Sequence, residues 1–393
     1  MAYSSTVFRQ LVNFIPTRQF HNEVEKSGAN RYTKHFTAWN QLIVNLYAQA
    51  SGKKSLRDVE TGLRVQSWAW YHLGLKNISR SQLSYVNARR DCAIYQNLYF
   101  NLLARCAAIA PKHRFRFKNP LKILDSTLIN LCLEMYPWAR YRKRKGALKI
   151  HTMLDANGDL PSFIVVTEGS KHDVTVVQNA DLKLSPDSIL VFDMAYVDYQ
   201  WLYKLHHQSV FFVTRTRQNS DYRFIGQHGP SDGKNVLNDR IVMLQGPLSS
   251  RKYPEKLRMV TYYDDITDKT LNFMTNNFSL DAKTIAQIYK ARWDIELFFK
   301  WIKQNLKIKT FLGTSYNAVM IQIWTALIYY LLLAFIKFQT QYGFSMLHFT
   351  RVLSEALFQK TDIIALLRLS PYRYKKAREP DLQKVLIKIE CFS

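Results

Sequence analysis

Residues 121–125 read Leu-Lys-Ile-Leu-Asp, and the stretch they open decides the fold. Downstream come ALKIHTML (147–154), LPSFIVVTE (160–168), SILVFDMAY (188–196) and VFFVTRTR (210–217). Short apolar runs of this kind, with β-branched and aromatic residues between turn formers, read as strands. DVTVVQNADL (173–182) lies between the third and fourth runs and can form a helix. DYQWLYKLHHQ (198–208), after the fourth, can form another. Three strands in succession, followed by alternation of helix and strand, predict a mixed α/β sheet. Asn157-Gly158, followed by Asp159, is a hairpin signal that would join the second and third strands as an antiparallel pair.

Working outward from this core, residues 1–110 read as helical. HFTAWNQLIVNLYAQAS (35–51) carries apolar residues at helical spacing, and Ser55 with Asp58 comes close to a capping box. NISRSQLSYVNARRD (77–91) reads as a turn into a helix with Ser79 as N-cap. Arg80, Arg89 and Arg90 make that helix basic. A DNA-binding helix-turn-helix is one reading, and an ordinary solvated helix is the other. The basic, Pro-bounded stretch APKHRFRFKNP (110–120) marks a boundary, so the first part of the α/β core is assigned to 111–217. KLRMVTYYDD and KTLNFMTNN alternate like paired strands, which makes 218–280 a β-rich insertion. The core resumes over 281–345, and 346–393 forms a helical tail with the basic aromatic cluster Tyr372 to Lys376.

AVMIQIWTALIYYLLLAFI (318–336) has no charged residue and is long enough to span a bilayer. A helix that is apolar all round can equally be buried in a large protein. Gln322 and Thr325, and the absence of a second such segment, favour the core helix and argue against a membrane partner. The 393 residues include 55 Lys plus Arg against 30 Asp plus Glu, a formal charge of +25. That excess predicts a polyanionic partner: DNA, RNA or an anionic membrane surface. Cys92, Cys106, Cys132 and Cys391 form no CxxC pair, so neither a disulfide framework nor a zinc site is indicated. The N-terminal residues lack the apolar run of a signal peptide, which leads us to expect a cytoplasmic protein.

The chemistry is concentrated in Tyr289-Lys290-Ala291-Arg292-Trp293-Asp294-Ile295-Glu296, with Lys303 seven residues further on. On one continuous helix from about Leu280 past Lys303, Tyr289, Arg292, Glu296 and Lys303 would fall within a sector of about 60°. Two-metal phosphoryl transfer needs carboxylates converging from separate elements, and oxygen donors suit Mg²⁺ or Mn²⁺. Asp125 and Asp193 each end an apolar run, and Glu296 would arrive from the helix. Each acid alone is more often a turn former, cap or ion-pair partner. Asp155 and Asp159 read as hairpin residues and Asp173 as a helix start, while His151 and His172 read as structural. The densest basic run, Tyr141 to Lys145, includes Arg142, Lys143, Arg144 and Lys145. It lies between the first two predicted strands, where it can hold phosphates or simply be solvated.

Tyr289-x2-Arg292-x3-Glu296-x6-Lys303 resembles the Y-R-E-K signature of bacterial transposases of the insertion-sequence-four family. LKILDST around Asp125 and Asp193-Met194-Ala195-Tyr196 resemble that family's two Asp motifs, and the likeness covers about residues 110–340. It implies a ribonuclease-H-like catalytic core with an inserted β-rich domain, preceded by a helical N-terminal domain. It also implies Asp125, Asp193 and Glu296 as a DDE triad holding two Mg²⁺ or Mn²⁺ ions. Tyr289, Arg292 and Lys303 match positions that grip phosphates of the transposon end, and Trp293 matches an aromatic nearby. The implied activity is cleavage of double-stranded DNA ends by water, then joining by the new 3′-hydroxyl, with a homodimer on paired ends. Some members stack a base of a hairpin intermediate on a Trp of the insertion. Residues 218–280 contain no Trp, leaving Tyr222, Phe224, Tyr253, Tyr262, Tyr263 and Phe273 as possible substitutes. Three rivals stay open: a DNA-binding regulator without catalysis, a nuclease of the same core without strand transfer, and a membrane-associated basic protein.

Overall fold

The computed structural model describes residues 5–76, 78–142, 145–216, 221–229, 235–305 and 312–368. The chain divides into two compact units: Met1–Pro111 with Asn130–Trp138 and Lys300–Ser393, and Lys112–Ile129 with Ala139–Phe299.

In chain order, the helical unit begins with α1 (Val7–Asn13), α2 (Thr17–Lys26), α3 (Ala38–Ala50), α4 (Leu56–Val65), α5 (Trp70–Leu73), α6 (Arg80–Arg89) and α7 (Ala93–Ile109). Thr37, Ser55 and Ser79 each accept a backbone N–H of the first turn that follows, as the sequence predicted for Ser55 and Ser79. The strands and helices of the second unit follow: β1 (Leu121–Leu131), β2 (Arg140–Arg142), β3 (Lys145–Asp155), β4 (Leu160–Glu168), α8 (Asp173–Gln178), β5 (Ile189–Phe192), α9 (Tyr199–His207), β6 (Phe211–Arg215), β7 (Tyr222–Gln227), β8 (Val236–Leu244), α10 (Pro247–Lys252), β9 (Leu257–Asp264), β10 (Lys269–Thr275) and α11 (Ala282–Lys290). Then come α12 (Trp293–Asn305), α13 (Tyr316–Thr340), α14 (Met346–Ala356) and α15 (Ile363–Arg368).

Helix α13 carries the long apolar run of residues 318–336. It alone among the described helices is long and apolar enough to cross a bilayer, yet 94% of its apolar window is buried. It packs against α3 and α7 as the axis of the helical unit. The Tyr372–Lys376 cluster and Cys391 lie outside the described residues.

The second unit is built on one ten-stranded mixed sheet, in the order β2-β3-β1-β5-β6-β10-β9-β8-β7, with β4 paired to β3. β1, β5 and β6 run parallel, whereas β3 and β4 form the antiparallel hairpin that Asn157-Gly158 predicted. Gly158 and Asp159 both take positive φ in that turn (71° and 53°). Sequence reasoning missed the short strand β2, which pairs antiparallel with β3 through Arg140 with Gly146 and Arg142 with Lys145. The strands read as an insertion, β7 to β10, belong to the same sheet. β10 pairs with β6, and the sheet continues through them.

Alternation along the parallel strands divides the core into two layers. Leu121, Ile189, Val191 and Val213 pack with Ile285 and Ile288 of α11. Leu124, Leu190, Phe192 and Phe212 face the other way, onto Trp201, Leu202 and Leu205 of α9.

Candidate active site

The parallel register of β1 and β5 brings two acids 68 residues apart in sequence to adjacent positions. Leu121 pairs with Ile189 and Leu124 with Phe192, so the next residues are Asp125 and Asp193. Neighbouring strands lie about 4.8 Å apart. Asp125 and Asp193 follow the alternation of Leu121, Ile189 and Val191, which places both on the α11 face. Beyond Asp193 the strand gives way to a 3-10 turn, Met194–Tyr196.

Glu296 comes from α12, but not on one helix with Tyr289. α11 ends at Lys290, and the chain passes through Ala291 and Arg292 before α12 begins at Trp293. Three-residue hydrogen bonds join the two: Arg292 N–H to Tyr289 O (3.0 Å), Asp294 N–H to Ala291 O (2.9 Å) and Ile295 N–H to Arg292 O (3.3 Å). The expected single helix is therefore broken, although the break leaves the key side chains together. The Arg292 guanidinium sits 5.9 Å from the Tyr289 ring centroid. Its Nη1 donates to Asp125 Oδ2 at 2.9 Å and its Nη2 to Glu296 Oε1 at 2.7 Å. The Tyr289 hydroxyl donates to Asp193 Oδ1 at 3.3 Å. One guanidinium thus spans two of the acids and a phenol reaches the third.

The electrostatics match this crowding. Burial pushes the Asp125 carboxyl up to about 6, with the Asp193 and Glu296 charges adding to the rise; the Ser126 N–H and Arg292 oppose it. Tyr289, packed against Phe273, is pushed up to about 12 by burial and by Asp193. Arg292 Nε is buried without a partner among the described residues.

The other expected residues are scattered. Trp293 is 60% exposed rather than in the core. Lys303 is exposed on the same face of α12 as Glu296, two turns on. Arg142 and Lys145 pair across the β2–β3 hairpin, and Lys143 and Arg144 lie outside the described residues. Arg80 and Arg89 are exposed on α6, with Arg89 stacked on Tyr85 (4.3 Å). Arg90 is different: its guanidinium donates to the carbonyls of Ala29 (3.1 Å) and Phe36 and to Gln41 Oε1 (3.3 Å), bonds that tie α6 to the segment before α3 and to α3 itself. Of the aromatics weighed as base-stacking partners, Tyr253, Phe273 and Tyr262 are buried, whereas Tyr222, Phe224 and Tyr263 remain exposed.

Sequence reasoning passed over the residues behind Asp125. Ser126, Lys149, His151 and Asp173 form a polar cluster with Tyr196 on the far face of β1. Asp173 does start a helix, as the sequence predicted, and His151 was read as structural; what the sequence did not show is that the Asp173 carboxylate meets side chains from β1 and β3.

Residues 116–332 match the family described as "Transposase DDE domain", more than half of the chain. The chain belongs to that transposase family. Residues 3–76 match a domain of unknown function, DUF4372. A putative transposase, y4zB, of Sinorhizobium fredii is 32% identical over 293 residues, covering 74% of this chain and 80% of that protein. A probable transposase for insertion sequence element IS5377 of Geobacillus stearothermophilus is 30% identical over 264 residues, covering 66% and 68%. Among solved structures, a cryo-EM piggyBac transposase synaptic complex with hairpin DNA aligns at a TM-score of 0.42 and 11% identity, over 97% of this chain and 84% of that chain. So distant a likeness carries no argument about the site.

Proposed function

We propose that this chain is an insertion-sequence DNA transposase that cuts element ends and joins them to target DNA, with Asp125, Asp193 and Glu296 as its carboxylate triad. The observation that carries the reading is the convergence on Arg292 and Tyr289: acids from β1, β5 and α12 meet at the C-terminal edge of the parallel strands. That edge is where open α/β sheets place their ligands. The strand order β4-β3-β1-β5-β6 supports a ribonuclease-H-like core.

The donor set fits Mg²⁺ or Mn²⁺. All three side chains offer carboxylate oxygen; burial first, and the Asp193 and Glu296 charges after it, raise the Asp125 carboxyl, so a bound cation would favour its charged form. Among the described residues no three such side chains are already gathered as a cage. Arg292 occupies the interval between Asp125 and Glu296, so loading two ions requires it to let go. When bound, divalent ions would activate the attacking water or 3′-hydroxyl and stabilise the phosphoryl oxygens.

The protein's own groups supply the rest. A DNA phosphate gives Arg292 an anion to replace the carboxylates it releases, in the bidentate geometry guanidinium favours. Tyr289 holds Asp193 in orientation through its hydroxyl. Lys303 and the exposed Trp293 extend the same helix toward the duplex, and Arg142, Lys143, Arg144 and Lys145 add basic charge at the β2–β3 turn. The exposed Arg80 and Arg89 of α6 provide a second basic face, and a homodimer on paired ends fits the reading. The test is metal-dependent nicking of a duplex carrying the element's terminal repeat. Asp125→Ala, Asp193→Ala and Glu296→Ala should each lose nicking by more than about a thousandfold while end binding stays within a few fold. Full nicking in any of the three would remove that residue from the triad.

A further inference from the structure

Behind Asp125, on the opposite face of β1, lies the buried polar cluster that the triad does not use. Consecutive strand residues point to opposite sides of a sheet. Asp125 faces α11, whereas Ser126 points to the layer of α8 and the Met194–Tyr196 turn. Ser126 is bound on both sides. Its backbone N–H donates to Asp125 Oδ1 at 2.8 Å, and its Oγ donates to Asp173 Oδ1 at 2.6 Å. Asp173 is itself held by Lys149 Nζ, which reaches Oδ2 at 3.4 Å; His151 Nδ1 lies 3.3 Å from Oδ1 without hydrogen-bond geometry. Lys149 also donates to Lys171 O (2.9 Å), and His151 Nε2 pairs with Thr167 Oγ1 at 3.0 Å. His151 is fully buried, and the Tyr196 hydroxyl, buried beside Ser126 and Asp173, has no partner of good geometry among the described residues.

Such an arrangement is expensive for mere packing. A buried polar group costs free energy unless it is bonded, and a half-satisfied cluster is worse than an apolar one. Asp173 is the first residue of α8, yet its carboxylate is spent on Ser126 and β3. The chain of contacts leads to one end point, the orientation of the Asp125 carboxylate. Partners of a metal-holding side chain fix its direction, and losing one typically costs 10- to 100-fold in metal affinity or activity.

We infer that Asp173, with Ser126 as the connecting residue, is a positioning device for Asp125: it fixes the β1 backbone from behind so that the carboxylate keeps one rotamer when Arg292 departs. The inference rests on the transposase reading above. Asp173 touches neither DNA nor the reacting phosphate; it acts through Ser126.

The test uses the full chain and the same terminal-repeat duplex at saturating concentration, following single-turnover nicking across a Mg²⁺ titration and, separately, Mn²⁺ affinity by electron paramagnetic resonance, which each variant should weaken in the same order. Asp173→Ala is expected to slow nicking roughly 10- to 100-fold and to raise the Mg²⁺ concentration at half-maximal rate, with end binding unchanged. Ser126→Ala, which removes one oxygen and leaves the fold intact, should show a smaller loss of the same kind. The double variant should be no slower than Asp173→Ala, because both act through one link. Asp173→Asn, which keeps an acceptor for Ser126, should recover part of the rate. Wild-type rate and Mg²⁺ dependence in Ser126→Ala and Asp173→Ala would overturn the inference and leave the transposase reading standing. So would losses that multiply in the double variant. Absence of metal-dependent nicking in the wild type would bring down both.

Discussion

Two arginines in the same sheet unit hold carboxylates, and they do it differently. Arg258 on β9 is 1% exposed and its partner Asp239 on β8 is 3% exposed. Nε and Nη2 bind the two Asp239 oxygens at 2.8 and 2.7 Å, and Nη1 donates to Asn277 O and Leu280 O, just before α11. Arg292 is half-buried, splits its two terminal nitrogens between Asp125 and Glu296, and leaves Nε buried without a partner. A fully bonded, buried fork has nothing to gain by moving, whereas a split one can exchange its carboxylates for a better anion. The first pair is a fastener beneath the helix α11. The second, split between two carboxylates, is the one the proposed function needs to move.

The contrast can be broken most forcefully at Arg258. Arg258→Ala leaves Asp239 buried and uncompensated, which should cost about 3–5 kcal/mol of stability. Urea unfolding of the sheet unit's spectroscopic signal reads this directly, and a loss below about 1 kcal/mol would erase the distinction. Arg292→Ala should do the reverse. Its partly exposed pairs are worth about 1 kcal/mol or less, so unfolding should barely change. End binding should weaken, and the slope of log affinity against log salt should flatten by about one phosphate contact. A salt slope equal to the wild type's would deny Arg292 its phosphate.

The neighbours Arg89 and Arg90 sharpen the same distinction in the helical unit. Arg90→Ala removes bonds to Ala29, Phe36 and Gln41 and should lower stability by about 1–3 kcal/mol. Arg89→Ala, exposed on α6, should leave stability alone and weaken DNA binding several-fold. Thermal melts and electrophoretic shifts on the two proteins separate the outcomes.

Much of this was legible in the sequence. The apolar runs ending in Asp125 and Asp193 marked strands, and the spacing of Tyr289, Arg292 and Glu296 marked a shared face. What stayed hidden was what depends on pairing. No local pattern states that Leu124 pairs with Phe192, which sets the two acids side by side. The break at Ala291–Arg292 was invisible because neither residue is a helix breaker; three-residue hydrogen bonds made it. β7 to β10 read as a separate insertion because alternation reports strands, not which neighbour they choose. Arg90 read as a surface charge because its acceptors are backbone carbonyls far along the chain. Asp173 was rightly read as a helix start, but its bonds stayed hidden because its partners, Ser126 and Lys149, lie 47 and 24 residues away.

The smallest expected effect is on pH dependence. The folded protein holds Asp125 protonated up to about 6, well above an ordinary aspartate. Its contribution to metal-free stability is therefore present in full below the ordinary carboxylate range and is lost as pH rises through about 6. Melting curves of the metal-free protein should fall by a few degrees across that window, and Asp125→Asn should flatten the fall. An identical profile in the variant would place the raised carboxyl elsewhere.

The central claim is that Asp125, Asp193 and Glu296 hold divalent metal together once DNA draws Arg292 away. Mn²⁺ binding to the protein–DNA complex, followed by electron paramagnetic resonance, tests it most directly. Mn²⁺ should bind the wild-type complex, at least tenfold more weakly once any one of the three carboxylates is removed, and more tightly with DNA than to the free protein. Mn²⁺ affinity unchanged in all three single variants would contradict it.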